Sequence, residues 1–124
     1  MVSRLTTREA TERWTDAWTR GMFAADPAAI AAVYAEGAQF RSHPFRELET
    51  AGAYAERLLA HGPVEEAEFE EPLIERDRAA VAYRVVAEGE EIRGVTLLRF
   101  NENGLVTEHR DYWAAAPRPP GANA

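Results

Sequence analysis

The 124-residue sequence contains no cysteine and no lysine. The lack of cysteine excludes disulfide bonds, thiolate catalysis and cysteine-based zinc sites. The lack of lysine excludes Schiff-base catalysis through a side-chain amine. No apolar stretch approaches the roughly 18 residues of a membrane-spanning helix, and the N-terminus lacks the apolar core of a signal peptide. We therefore expect a cytoplasmic protein that does not enter a membrane.

Positive charge is also scarce, because 14 arginines face 21 acidic residues and the net charge is −7. Nucleic-acid binding needs a basic stripe, so we expect no nucleic-acid partner. The length fits one domain. We predict a single domain over residues 1–115 and a mobile, proline-rich tail over residues 116–124, because the sequence APRPPGANA is not expected to join a sheet.

Three helices are predicted in the N-terminal half. Thr6 begins a capping box ahead of an apolar stripe at helical spacing. Asp26 and Pro27 are typical of a helix start, and Gly37 is placed to end that second helix. Thr50 is the predicted cap of the third helix.

The remainder of the chain has the alternating pattern of strands. A short strand is predicted within AQFRSHPF, where Pro44 ends it and favours an edge position. Asn103-Gly104 favours a type I′ hairpin turn. Four long strands are predicted over Val64–Glu75, Ala79–Glu88, Glu91–Glu102 and Leu105–Ala114.

Helices followed by a meander of strands indicate an α+β fold. We predict a curved antiparallel sheet, of one short and four long strands, wrapped around the three helices in a cone. Its outer face is partly apolar at Ala82, Val86, Val95 and Leu97. An apolar sheet face of this kind is typical of an interface, so we predict a homodimer through the outer sheet face.

The last strand alternates so that Leu105, Thr107, His109, Asp111 and Trp113 share one face. A histidine, an aspartate and a tryptophan on one face of a late strand predict the wall of a pocket. Three scattered histidines without helical spacing make a weak case for a metal site, and no metal is expected.

The ordered set of motifs resembles the SnoaL-like branch of the nuclear transport factor 2-like superfamily, also called the cystatin-like α+β cone. This group includes polyketide cyclases and proteins similar to ketosteroid isomerase. The resemblance covers most of the chain and implies a pocket inside the cone. It is carried by Trp14–Trp18, Asp26-Pro27 followed by Ile30 and Tyr34, the segment 38–45, the Gly52…Tyr54 helix and the segment 104–113.

The resemblance implies polar groups at two places. Isomerase-like relatives carry an aspartate base just before the proline of the short strand, where this chain has His43. Cyclase-like relatives carry an aspartate in the last strand, and Asp111 matches it. The chain departs from the isomerase pattern because His43 is not a carboxylate and an early tyrosine is missing. It departs from the Asp-Arg-Asp set of epoxide-hydrolase-like relatives because Arg84 or Arg99 can supply the arginine but a second aspartate is missing.

Each candidate catalytic residue has a structural alternative. Asp111 in an apolar cavity suits proton abstraction from carbon, but it can instead pair with Arg99 or Arg110 and fix the sheet. His43 and His109 can exchange protons near neutral pH, as partners of Asp111, or serve as hydrogen-bonded structural histidines.

The ligand implied by the aromatic content is small and hydrophobic or aromatic. Tyr54 or Tyr83 can donate a hydrogen bond to an oxyanion. The leading hypothesis is a cofactor-free isomerase or aldol-type cyclase acting by proton transfer on a hydrophobic carbonyl compound. The alternative is a non-catalytic ligand-binding or protein-interaction domain of the same fold. The candidate ligand-binding residues are Trp14, Trp18, Tyr34, Phe40, Tyr54, Leu58, Phe69, Tyr83 and Trp113.

Overall fold

The computed structural model describes residues 5–118. Most of the predicted tail, residues 119–124, lies outside this range. No helix within it is long and apolar enough to cross a membrane. The helices are α1 (Thr7–Ala24), α2 (Pro27–Ala31) and α3 (Ala51–Leu58), and the strands are β1 (Tyr34–Arg41), β2 (Glu66–Phe69), β3 (Leu73–Glu75), β4 (Arg78–Ala87), β5 (Glu90–Phe100) and β6 (Val106–Pro117).

Helix α1 begins with the predicted capping box. The Thr6 side chain accepts from the Glu9 backbone N–H at 3.1 Å, and the Glu9 carboxylate accepts from the Thr6 N–H at 2.9 Å. These contacts pair two backbone donors that the first helical turn leaves free. One face of the helix, carrying Trp14, Trp18 and Met22, is buried in the core. The capping box therefore fixes where the aromatic stripe meets the sheet.

Helix α2 is shorter than predicted. The Asp26 side chain caps it, accepting from the Ala29 N–H at 3.2 Å, but it ends at Ala31 and the chain enters β1 at Tyr34. Gly37 was predicted to end this helix, and that prediction is wrong. It lies within β1 at φ +76°, where the register of β1 is irregular. The physical reason is the pairing of β1 with the last strand of the chain, which local helix signals do not report.

The strands form one curved sheet in the order β1-β6-β5-β4-β2, and β3 also pairs with β4. The predicted α+β class with a curved sheet around three helices is confirmed. The sheet is mixed and not wholly antiparallel as predicted, because edge strand β1 runs parallel to β6 while the other pairs are antiparallel. The segment Val64–Glu75 forms the two strands β2 and β3, which are separated at Pro72.

The hairpin between β5 and β6 differs from the predicted type I′ turn. Gly104 donates to the Asn101 carbonyl at 3.0 Å and has φ +76°, whereas Asn103 does not have a positive φ. The turn is therefore centred on Glu102 and Asn103 and ends in a left-handed glycine. The Asn101 side chain widens it by accepting from the N–H groups of Asn103 and Leu105, both at 3.0 Å.

A bulge follows this turn. Phe100 pairs with Val106 but Arg99 pairs with Glu108, so Thr107 is an extra residue. The face predicted to include Leu105 and Thr107 therefore begins with Val106, which is fully buried. From His109 onward the alternation is as predicted, with His109 and Asp111 on the inner face.

Strand β6 also extends into the predicted tail. Ala116 pairs with Glu91 and Pro117 with Glu90, so the expectation that these two residues do not join the sheet is wrong. Strand β1 pairs with β6 only as far as Arg110, and this part of β6 is open on that side. A proline, which has no N–H to donate, is tolerated at such an open edge.

Candidate functional site

A cavity of about 60 Å³ lies between α1, α3 and the inner face of the sheet. Small-molecule sites commonly measure roughly 300–1,000 Å³, so a drug-sized ligand requires the wall to move. Among the lining residues, Leu58, Ile92 and Trp113 are partly exposed, whereas Thr96 and His109 are buried. The lining residues are Trp14, Trp18, Met22, Tyr54, Leu58, Phe69, Tyr83, Val85, Ile92, Thr96, His109, Asp111 and Trp113.

Asp111 is the one carboxylate in this lining and is only 7% exposed. Thr96 lies directly opposite it on β5, and the Thr96 hydroxyl donates to Asp111 Oδ1 at 2.5 Å. Asp111 Oδ2 accepts no hydrogen bond from the part of the chain that the structure describes. One oxygen is therefore fixed by the sheet, and the other is available to the cavity.

Asp111 does not pair with an arginine among the described residues, so the structural alternative predicted for it is not observed. Arg110 lies on the opposite face of β6, where its Nε is 3.0 Å from Glu108. Among residues 5–118, no arginine lines the cavity. Arg84 and Arg99, the arginines considered for an epoxide-hydrolase-like set, are not among the lining residues either. The charge of Asp111 is consequently not balanced by a cation within this wall.

His109 is 1% exposed and both of its ring nitrogens face polar groups. Its Nδ1 lies 2.7 Å from the Tyr34 hydroxyl, and its Nε2 lies 3.0 Å from Asp111 Oδ1. The second contact is close but poorly directed, because the carboxylate lies off the N–H axis and Nε2 has no aligned acceptor among the described residues. His109 thus contacts Asp111 while its Nε2 keeps unused hydrogen-bonding capacity.

Tyr34 connects His109 to helix α1. Its hydroxyl oxygen accepts from the indole N–H of Trp14 at 3.0 Å and from that of Trp18 at 2.9 Å. Burial of this hydroxyl raises the pKa of Tyr34 well above its ordinary value, so the phenol stays protonated. Tyr34 was a predicted ligand contact, but it lies behind His109 and not in the cavity wall.

Tyr54 and Tyr83 place two hydroxyl groups at the cavity. Burial, followed by the nearby charge of Asp111, raises the pKa of Tyr54 to about 12. The same two causes, in the same order, raise the pKa of Tyr83 above its ordinary value. Neither hydroxyl has a hydrogen-bond partner within the described range. Both phenols are therefore protonated donors near neutral pH.

His43 is half-buried and lies beside the lining residue Trp113. Its ring packs edge-on against Trp113 at 4.8 Å between centroids, and its Nδ1 accepts from the Phe45 N–H at 3.2 Å. It is not among the lining residues. The Trp113 indole donates to the Ser42 carbonyl, which ties the segment carrying His43 to β6. The structure therefore brings His109 to Asp111 and leaves His43 outside the cavity wall.

Of the remaining predicted ligand contacts, some line the cavity and one, Phe40, does not. Phe40 is fully buried against the His109 ring at 4.2 Å and lies outside the cavity wall. Four lining residues were not predicted, and of these Thr96 matters most. Its signal was its inner-face position on β5, but its pairing with Asp111 depends on the shifted register after the hairpin. The predicted contacts that do line the cavity are Trp14, Trp18, Tyr54, Leu58, Phe69, Tyr83 and Trp113.

The comparisons with known proteins agree with this architecture. The sequence model of the SnoaL-like domain matches residues 11–109. No curated protein matches the chain. A structure from Kribbella flavida DSM 17836, assigned provisionally as a ketosteroid isomerase, is 25% identical with a TM-score of 0.66, over 93% of this chain and 85% of that one.

Two further solved structures are similar in fold. An NTF2-like protein of unknown function from Cytophaga hutchinsonii ATCC 33406 is 16% identical with a TM-score of 0.68, over 92% of this chain and 95% of that one. An LEH-like epoxide hydrolase from M. tuberculosis is 14% identical with a TM-score of 0.64, over 88% of this chain and 84% of that one. At these identities the likeness concerns the fold alone.

Proposed function

Because the chain belongs to the SnoaL-like domain family of the NTF2-like superfamily, we propose that it binds a small hydrophobic carbonyl compound and transfers a proton at carbon. The reaction is an isomerisation or an aldol-type cyclisation, with Asp111 as acid and base. The observation that carries this proposal is the unpaired inner oxygen of Asp111 in an apolar cavity without a cation.

The neighbours of Asp111 favour this chemistry. Thr96 and the backbone of β6 hold the carboxylate in one orientation, which limits the reorganisation needed during proton transfer. The protonated hydroxyls of Tyr54 and Tyr83 lie in the same wall and can donate to a developing enolate oxygen. A wall with one carboxylate and no cation also favours a neutral ligand over an anionic one.

The proposed reaction moves only protons and electron pairs, so it needs no oxidant or reductant. Asp111 Oδ2 takes a proton from the carbon next to the carbonyl, and the C–H electron pair moves into the enolate, whose oxygen accepts from a tyrosine hydroxyl. The carboxylic acid then returns the proton to a more distant carbon, which isomerises the compound. In the cyclisation, the enolate carbon instead attacks a second carbonyl, and the acid protonates the resulting alkoxide.

The experiment follows conversion of a β,γ-unsaturated ketone to its conjugated isomer by ultraviolet absorbance. The probes are 3-cyclohexen-1-one, for a small cavity, and 5-androstene-3,17-dione, for a mouth that opens. Asp111→Asn should lower the rate by about 10²–10⁴-fold, the usual contribution of a general base. Glu108→Gln is the matched control, since Glu108 is a carboxylate of the same strand that pairs with Arg110. Turnover that survives Asp111→Asn would refute the assignment.

The non-catalytic alternative has one observation in its favour. Aromatic side chains fill most of the space between the helices and the sheet and leave a cavity of only about 60 Å³. In a binding domain, a ketone should alter tryptophan fluorescence without being converted, and Asp111→Asn should leave the affinity unchanged. Conversion of a ketone by the wild-type protein decides against this alternative.

We also propose a homodimer through the outer sheet face, with a cytoplasmic location as the accompanying prediction. Val95 and Tyr112 face each other across β5 and β6 and are 37% and 44% exposed. Of the predicted patch, Val86 is fully buried and is not available for contact. Light scattering at micromolar concentration should give twice the chain mass of 13.8 kDa, and Val95→Glu should give the monomer. A monomeric wild-type protein would rule this interface out.

A further inference from the structure

The hydroxyl of Tyr34 has only one way to satisfy its three contacts. A phenol offers one O–H donor and two acceptor lone pairs, and an indole N–H can only donate. Trp14 and Trp18 occupy both lone pairs, at 3.0 and 2.9 Å. The Tyr34 proton must therefore point at the third neighbour, His109 Nδ1, at 2.7 Å.

This donor count fixes the proton on the imidazole. Since His109 Nδ1 accepts from Tyr34, the neutral ring carries its proton on Nε2, the nitrogen that faces Asp111. Adding a proton to Nδ1 would set two donors against each other, because the Tyr34 oxygen has no lone pair left to accept. The groups on α1 and β1 therefore leave His109 Nδ1 as a hydrogen-bond acceptor.

We propose that Tyr34 is a positioning residue that fixes His109 as the neutral Nε2–H tautomer, so that His109 acts as a hydrogen-bond donor and Asp111 alone exchanges protons. The assignment of proton exchange to Asp111 rests on the proposed function. The arrangement is the reverse of a histidine base oriented by a carboxylate, in which the nitrogen facing the substrate must be unprotonated.

The contact between His109 Nε2 and Asp111 Oδ1 is close but poorly directed. Nε2 is buried and has no aligned acceptor within the described range, although other atoms of the residue line the cavity. The Nε2–H group therefore faces Asp111 and is not open to a ligand in this structure.

The surroundings of His109 contain few other groups that titrate. Tyr34 and Asp111 contact the ring directly, and Tyr54 and Tyr83 share its cavity. The remaining contacts, from α1 and β1, are aromatic rings without a titratable group, namely Trp14, Trp18 and Phe40. Any titration of His109 therefore reports mainly on Tyr34 and Asp111.

The test is long-range ¹H–¹⁵N NMR of the full chain with ¹⁵N-labelled histidine, between about pH 5 and pH 8. His109 should show an unprotonated Nδ1 and a protonated Nε2 throughout this range. His43, which is half-buried, and His61, which is exposed, do not line the cavity and serve as reference signals in the same spectrum. A wild-type His109 that is protonated at Nδ1, or that is charged at neutral pH, would overturn the proposal.

Tyr34→Phe sharpens the test. Without the hydroxyl, Nδ1 becomes free to take a proton beside the Asp111 charge, and His109 should begin to titrate in this range. Tyr54→Phe is the matched control, because it removes a phenol from the same cavity without touching His109, and the tautomer should persist. An unchanged His109 signal in Tyr34→Phe would contradict the role of Tyr34.

If that variant fails to fold, the wild-type spectrum alone decides. The tautomer is measured without a substrate, so its failure and the failure of the isomerase assignment are separate results.

Discussion

Within residues 5–118, charged side chains are paired on the outer face of the sheet but not on its inner face. On the outer face, Arg84 forms ion pairs with Glu66 and Glu91, and Arg118 pairs with Glu65 and Glu66. On the inner face, Asp111 has hydroxyl and imidazole neighbours and no arginine. Alternation along the strands places Arg84 on one face of the sheet and Asp111 on the other. Charge on the outer face is paired at positions that water reaches, whereas the inner carboxylate has no arginine beside it among the described residues, an arrangement typical of functional sites.

Removing an inner aromatic should have the largest effect on stability. Trp14 is 1% exposed, packs against Phe69 and His109, and donates to Tyr34. Trp14→Ala should lower the free energy of unfolding in urea by about 3–5 kcal/mol. Leu73→Ala, at a position of β3 that is 77% exposed and lies outside the proposed dimer interface, should change it by less than about 0.5 kcal/mol. Similar losses in the two variants would remove the contrast between the faces.

The second-largest effect should be a loss of folding stability at alkaline pH, caused by the buried tyrosines of the inner face. Tyr34, Tyr54 and Tyr83 have raised pKa values in the folded protein, so the unfolded chain loses these protons first. Stability is therefore complete below about pH 10 and falls as pH rises toward 12, by about 1.4 kcal/mol per pH unit for each retained proton. The absence of lysine leaves the phenols as the main groups titrating there. Tyr54→Phe should reduce the slope measured by urea unfolding, and an unchanged slope would contradict the burial of this phenol.

The outer ion pairs should matter least. The Arg84 guanidinium, through its hydrogen bond, holds the pKa of Glu91 below its ordinary value, but these side chains are reached by water. Arg84→Gln should shift the urea midpoint only slightly, and the shift should shrink in about 1 M salt because screening acts on exposed pairs. A large, salt-independent loss would mean that the outer network is as essential as the core.

Local signals predicted most of the fold. The caps at Thr6, Asp26 and Thr50 lie where the sequence placed them, and their side chains accept the expected backbone N–H groups. The inner face of β6 at His109 and Asp111 followed from simple alternation. Such features depend on neighbours within a few residues, which a sequence pattern reports directly.

The details that define the site depend on distant contacts instead. The Asn101 side chain widens the hairpin, and the bulge at Thr107 then sets which residue lies opposite Asp111. The role of Tyr34 arises where helix α1, strand β1 and strand β6 meet, and its partner His109 lies 75 positions further along the chain. The end of α2 was misplaced for the same reason, because the parallel pairing of β1 with β6 decides it.

The most direct measurement compares the enone isomerisation rate and the free energy of unfolding for one preparation of Asp111→Asn. The rate should fall by about 10²–10⁴-fold, while stability stays within about 1 kcal/mol of wild type, because the amide that replaces the carboxylate retains an oxygen for the Thr96 hydroxyl. A full rate, or a loss of several kcal/mol, would instead make Asp111 a structural residue of the sheet.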